Sequence, residues 1–277
     1  MVFCLADRTI ETSLPAFVMG IVNANGDSFW EESRGGLERA LRLVDEGADI
    51  LDVGGESTRP GSDYVSADEE IRRVVPVVEA VRKRSSVPIS VDTRKYEVMK
   101  AAYEAGADIL NDISALEDDD RLASFAAEKK IPVVLMHKRG RPSDMQSNTF
   151  YEDVFSEVDA YLSARADYAV SRGIAAEKII VDPGVGFGKD TDGNFNLVAR
   201  AGELCGGKYP VLMALSRKSC LGQVTGREVG ERLAGTLAAD LLSVLYGSSM
   251  VRVHDVKETV DTLKILSVVE KIRAGRK

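Results

Sequence analysis

The sequence predicts a (β/α)8 barrel preceded by a short N-terminal β-hairpin, and two observations carry that expectation. Eight short apolar runs alternate with helical patterns over 277 residues, and each run ends in polar or charged residues. No GxGxxG follows the first run, which weighs against a doubly wound open sheet. No Gly/Ser-rich linker interrupts the series, so residues 1–277 are expected to form one barrel domain.

Val2–Leu5 and Thr9–Thr12 flank a polar Ala-Asp-Arg turn and read as the hairpin. The first barrel strand is Ala16–Val22, which ends at Asn23 and a polar loop through Asp27 and Ser28. Leu37, Ala40, Leu41 and Val44 then recur at helical spacing before Gly47. Strand two, Asp49–Val53, runs into the Gly54–Gly61 loop, after which Ser66 and Glu69 form a capping box. The helix that follows should kink at Pro76. Strand three is Pro88–Val91, ending at Asp92, and a short helix leads to strand four, Asp108–Leu110, ending at Asn111. Gly-Ala-Asp-Ile-Leu occurs at both 47–51 and 106–110, each time joining a helix to a strand, as a repeated βα unit would. Strand five is Pro132–Met136, ending at His137, and a long helix spans Tyr151–Arg172. Strand six, Lys178–Val181, ends at Asp182 and the glycine-rich Gly184–Gly188 loop. Strand seven, Val211–Leu215, stops at Ser216-Arg217-Lys218-Ser219, and a helix over Glu231–Tyr246 follows. Strand eight is Met250–Val253, and Lys257–Ile272 closes the chain as an amphipathic helix.

Composition narrows the partners. A net charge of −8 argues against general binding to nucleic acid or membrane surfaces, so any cluster of cations is locally placed. Three cysteines without CxxC spacing fit reduced thiols in a cytoplasm. No apolar run reaches membrane-spanning length.

In a closed barrel the strand ends bring Asn23, Thr58, Arg59, Asp92, Asn111, His137, Asp182, Arg217, Lys218, Arg252 and His254 to one face. Each has a plain alternative: Asp92 can cap a helix, Asn111 can satisfy a turn, and His137 can be a packed core histidine. Together they show two chemistries. Arg59, Lys218, Arg252 and His254 suit a phosphate or diphosphate. Asp92, Asn111 and Asp182 can read the donor edge of a flat nitrogen heterocycle, or the two aspartates can hold a metal. Two histidines without ligand spacing argue against a tight zinc site, whereas Mg2+ bridging a substrate phosphate and Asn23 is easily accommodated.

The ordered phrases MGIVN…DSF, GGESTRPG, ISVDT, ILNDIS, VLMHKRGRP…MQ, IIVDPGVGFGK, ALSRKS, GTLAA and VRVHDV resemble the dihydropteroate synthase family, from Arg8 to the last helix. The resemblance implies a barrel enzyme that joins 6-hydroxymethyl-7,8-dihydropterin diphosphate to p-aminobenzoate, releasing diphosphate. It implies Asp92, Asn111, Asp182 and Lys218 as the pterin set, with Lys218, Asp92 and Arg252 catalytic. By the same resemblance Asn23 meets Mg2+ and diphosphate, and Thr58, Arg59, Arg252 and His254 hold diphosphate. Pro60, Phe187, Arg217 and Ser219 fall where the family forms its p-aminobenzoate pocket, and a homodimer through C-terminal helices is implied. The chain departs from the family in having Asn25-Gly26 where Thr-Pro is usual, and in Trp30 and Cys220. A pterin-binding methyltransferase barrel would share the Asp/Asn/Asp set but has no use for the Ser216–Ser219 cluster. A non-catalytic relative that binds pterin or a partner protein would have the first-loop departure as its support.

Overall fold

The computed structural model describes residues 1–24, 36–57, 62, 64–140 and 148–275. Strands β1 (Val2–Cys4) and β2 (Thr9–Glu11) form an antiparallel hairpin. The barrel strands are β3 (Phe17–Asn23), β4 (Ile50–Gly54), β5 (Ile89–Asp92), β6 (Ile109–Asp112), β7 (Val133–Met136), β8 (Ile179–Asp182), β9 (Leu212–Met213) and β10 (Met250–Val253). All barrel pairings are parallel, in the order β8-β7-β6-β5-β4-β3-β10-β9. A parallel bridge between Val181 and Val211 joins the two ends, and Val181 N–H donates to the Pro210 carbonyl at 3.0 Å. The sheet is therefore nearly closed into the expected barrel.

Helices α1 (Gly36–Asp45), α2 (Ala67–Arg82), α3 (Tyr96–Glu104), α4 (Arg121–Lys129), α5 (Val154–Ser171), α6 (Thr191–Ala199), α7 (Ser219–Thr225), α8 (Leu233–Leu245) and α9 (Val256–Gly275) connect the strands. Ser66 caps α2 by accepting from Glu69 N–H at 3.4 Å, while the Glu69 carboxylate pairs with Arg72 and Arg73. Helix α2 continues through Pro76, which sits on its exposed side. The seventh strand is shorter than its apolar run, because Lys218 N–H returns to the Leu215 carbonyl at 3.1 Å and turns the chain.

Period-two alternation sorts the strand residues into two cores. Val18, Leu51, Val53, Val91, Leu110, Leu135, Val181 and Val251 face the helices and belong to the outer core. Phe17, Met19, Ile50, Ile109, Val134, Ile180, Leu212 and Met250 fill the barrel axis. The hairpin closes the lower end of that axis: Phe3 and Leu5 join the inner core, and the Phe3 and Phe17 rings meet edge-on at 6.4 Å. Apolar packing below thus leaves the upper rungs of the axis to polar groups.

The repeated Gly-Ala-Asp-Ile-Leu word has a physical meaning. Gly47 and Gly106 end their helices at φ +97° and +111°, a region that L side chains avoid. Asp49 then accepts Val18 N–H at 2.8 Å and Asp108 accepts Ile89 N–H at 2.9 Å. Each aspartate satisfies a donor at the lower end of the neighbouring strand, so the same sequence solves the same barrel joint twice.

Candidate active site

The upper rungs carry the chemistry. Two residues above Ile50 on the inward face of β4, Asp52 is fully buried. Its Oδ2 accepts from Arg252 Nε at 2.6 Å and from Asn111 Nδ2 at 3.1 Å. Arg252 Nη2 also donates to Asp92 Oδ2 at 2.9 Å. Four strands, β4, β5, β6 and β10, therefore contribute to one connected cluster of two carboxylates, a guanidinium and an amide. Asp182 closes β8, where its Oδ1 accepts Gly184 N–H at 2.7 Å. Lys218, just beyond β9, holds its Nζ 4.4 Å from the Phe187 ring centroid. Phe187 packs with Ile113 and Met136 in a small apolar cluster of its own.

The loop between Asp182 and Phe187 is fixed from within. Lys189 is buried and donates to the carbonyls of Gly184 (2.9 Å) and Phe187 (3.0 Å). A Cβ on Gly184 would lie 1.9 Å from the His137 carbonyl oxygen, at a φ of +66°, so glycine is required.

Burial and charge tune these groups. Burial pushes the Asp92 carboxyl up to about 7, against Arg252, with the neighbouring Asp52 charge pushing the same way. Burial also raises Asp182, opposed by the Gly184 N–H and by Lys218, Lys189 and Arg252. The Lys218 ammonium is lowered to about 8 by burial, opposed by Asp182 and reinforced by Arg252. Burial works against the Arg252 charge too, but Asp52 and Asp92 outweigh it and hold the guanidinium protonated. A carboxyl and an ammonium poised near neutrality suit the exchange of hydrogen bonds with a polar, neutral ring.

Asn23 ends β3 in register with Gly54. His254 is buried, with Nδ1 2.9 Å from Ser216 Oγ, and its carbonyl accepts from Arg39. Arg217 donates through Nε and Nη2 to Asp255, both at 2.9 Å, and through Nη1 to the Val229 and Gly230 carbonyls. Its guanidinium thus braces the loop after β9 against β10 and the segment before α8. Ser219 is exposed at the start of α7. His137 is the packed core histidine: its ring sits edge-on to Tyr161 at 4.9 Å. Burial, with Lys189 and Arg139 adding to it, lowers the imidazole to about 3, so the ring is neutral. Thr58, Arg59 and Pro60, with Asn25, Gly26, Asp27, Ser28 and Trp30, lie outside the described residues.

Asp52 and Lys189 were not singled out from sequence. The available signal for Asp52 was an aspartate interrupting the apolar Ile50–Val53 run, two residues from Ile50 and hence on the same face. Among the described residues no group of three or more His, Cys, Asp or Glu side chains forms a metal cage. No helix among them is long and apolar enough to cross a membrane.

Residues 19–254 match the model of a family described as "Pterin binding enzyme", which defines the class. The dihydropteroate synthase of Escherichia coli (strain K12) is 44% identical over 257 residues, covering 90% of each chain. The Xanthomonas albilineans dihydropteroate synthase with 4-aminobenzoic acid superposes with a TM-score of 0.85 at 43% identity, covering 96% of this chain and 94% of that one. The same enzyme in complex with 7,8-dihydropteroate gives a TM-score of 0.85 at 40% identity, covering 97% and 98%. The chain belongs to the dihydropteroate synthase family.

Proposed function

We propose that this protein condenses 6-hydroxymethyl-7,8-dihydropterin diphosphate with p-aminobenzoate, giving 7,8-dihydropteroate and diphosphate. The carrying observation is the convergence of Asp92, Asn111 and Arg252 with Asp182 and Lys218 in a chain 44% identical to the Escherichia coli synthase. Asp92, Asn111, Asp182 and Lys218 read the pterin ring, Asp92 and Asp182 as acceptors and Lys218 as a donor. The C–O bond at the pterin methylene breaks as the amine nitrogen bonds to that carbon and loses a proton. Positive charge developing at the methylene is offset by the buried carboxylates, and the negative leaving group is offset by Arg252. Diphosphate contacts fall to Arg252, His254, Thr58 and Arg59. Phe187, Ser219 and Pro60 take p-aminobenzoate, with Arg217 bracing the loop that carries Lys218 and Ser219.

Asn23 offers an amide oxygen at the end of β3, and Mg2+ commonly needs only one or two protein oxygens beside substrate phosphates. Mg2+ would be held by Asn23 together with the substrate diphosphate and would supply positive charge to offset the leaving group. A cytoplasmic location is supported by three free cysteines. A homodimer is supported by exposed apolar side chains on the last two helices and the turn after α8: Leu242, Leu245, Tyr246, Ile265, Val268 and Ile272.

The test is incubation with both substrates and Mg2+. Dihydropteroate and diphosphate should form in equal amounts. Diphosphate release that does not require p-aminobenzoate, or pterin binding without release, contradicts the reading.

A further inference from the structure

Asp52 sits one rung below Asp92, between Ile21 and Ser90 in the strand register. Its carboxylate has no access to solvent, so it acts on a ligand at the mouth only through the groups it holds. Two of those groups belong to the pterin and diphosphate set. Arg252 is gripped along one edge by two carboxylates on adjacent strands, Nε by Asp52 and Nη2 by Asp92. Two anchors on one planar fork fix both its position and its plane. Asn111 gives a proton of its amide nitrogen to Asp52, which decides the flip: the NH2 end points down into the barrel wall and the carbonyl oxygen is the end left over. A carboxylate that only accepts is needed for this choice, since an amide or hydroxyl at Asp52 would tolerate either orientation.

The grip is not explained as a simple contribution to stability. Oδ1 of Asp52 and Oγ of the neighbouring Ser90 are buried without a hydrogen-bond partner, and burying an incompletely bonded charge is costly. An apolar side chain would continue the inner core upward from Ile50 without that cost. What such a side chain would lose is control of Arg252 and Asn111. The charged groups around this grip are Arg252 and Asp92, with Asp182 and Lys218 at the same mouth.

We propose that Asp52 is a positioning residue: from beneath the mouth it sets the plane of Arg252 and the amide orientation of Asn111, and so presents both correctly to the substrate. The proposal rests on the synthase reading above for its kinetic consequence, but not for its geometric one.

A double-mutant cycle tests the kinetic part. Asp52→Asn keeps the shape of the side chain and should lower kcat by roughly 10²-fold, the order lost by misplacing reacting groups by about 1 Å. The KM for p-aminobenzoate should stay within about twofold, since neither group held by Asp52 belongs to that pocket. In an Arg252→Ala background the same change should cost at least tenfold less, because much of its effect has already been removed. Equal losses in both backgrounds, or near wild-type turnover of Asp52→Asn, overturn the proposal. Hydrogen exchange at the Arg252 Nε–H, followed by arginine side-chain NMR on the whole protein, tests the geometric part. In the wild type it should be slower than at exposed Arg227, and in Asp52→Asn it should quicken by at least tenfold. Absent protection in the wild type overturns the proposal even if the variant does not fold. A wild type that shows the protection but turns nothing over rejects the synthase reading and leaves the geometric role of Asp52 standing.

Discussion

Asp240 offers a stability test that is independent of the active site. It lies on the buried face of α8, 1% exposed, and neither carboxyl oxygen has a hydrogen-bond partner. Burial raises its pKa well above the usual carboxylate range, and the charge of Asp255 adds to the effect. The folded protein consequently holds the Asp240 proton more tightly than the unfolded chain does. Asp240→Ala removes both unbonded oxygens, worth about 1–3 kcal/mol. Alanine also gains up to about 0.7 kcal/mol in helix propensity. A residual cavity costs about 24 cal/mol per Å3, below about 1 kcal/mol for a gap the size of a carboxyl. Before any pH-linked contribution the net expectation is stabilisation centred near roughly 2 kcal/mol, or about 4–8 °C in Tm for a chain of this size. The sign with pH is also fixed. A folded pKa above the unfolded value makes stability fall as pH rises from the unfolded value through the folded one. The advantage of Asp240→Ala should therefore widen as pH rises above the usual carboxylate range, by at most about 1.4 kcal/mol per pH unit. Thermal melts at pH values above that range are the assay. A variant that melts at or below wild type at pH 7, or a difference that does not change with pH, refutes the reasoning.

Two further outcomes are expected. Gly184→Ala places a methyl group against the His137 carbonyl at a left-handed φ, so it should destabilise by more than about 2 kcal/mol; an unchanged urea midpoint would contradict that. The profile of kcat/KM against pH should be bell-shaped, rising as Asp92 ionises near 7 and falling as Lys218 loses its proton near 8. A rate that is flat from pH 6 to 9 would separate those groups from the chemistry.

Much of this architecture is legible in the sequence because parallel barrel strands are buried on both faces and so read as short continuous apolar runs. The apolar runs announced eight strands, and the two Gly-Ala-Asp-Ile-Leu joints announced a repeated unit whose aspartates perform the same backbone contact. Helix α6 is not legible in the sequence, because its buried face opens with Gly193 and Asn194 and only its last turn adds the apolar Leu197 and Val198. Helix α4 was also missed, although Leu122, Ala123, Phe125 and Ala126 form its buried face: it is short and follows the acidic run at 117–120. At the site, adjacency misled where direction mattered. Arg217 and Lys218 look alike in a basic cluster, yet Arg217 adopts φ +56° and locks onto Asp255, 38 residues away. Nothing local to Ser216–Ser219 reveals that partner. Asp52 was missed for the converse reason: an acid inside a strand resembles a break in the core until the strand register places Arg252 and Asn111 beside it.

The central claim is that the charged mouth of this barrel carries the proposed condensation, with Lys218 holding the pterin ring in place for it. Its most direct test is the turnover of wild type beside Lys218→Ala, with both substrates and Mg2+ saturating and folding checked by thermal melting. Wild type should form dihydropteroate, and the variant should lose at least about 10²-fold in kcat, the scale of removing one electrostatic stabiliser. Its melting temperature should stay within about 3 °C of wild type, since the Lys218 ammonium meets the Phe187 ring at the mouth of the barrel and not the core below it. A folded Lys218→Ala protein with near wild-type turnover would contradict the account.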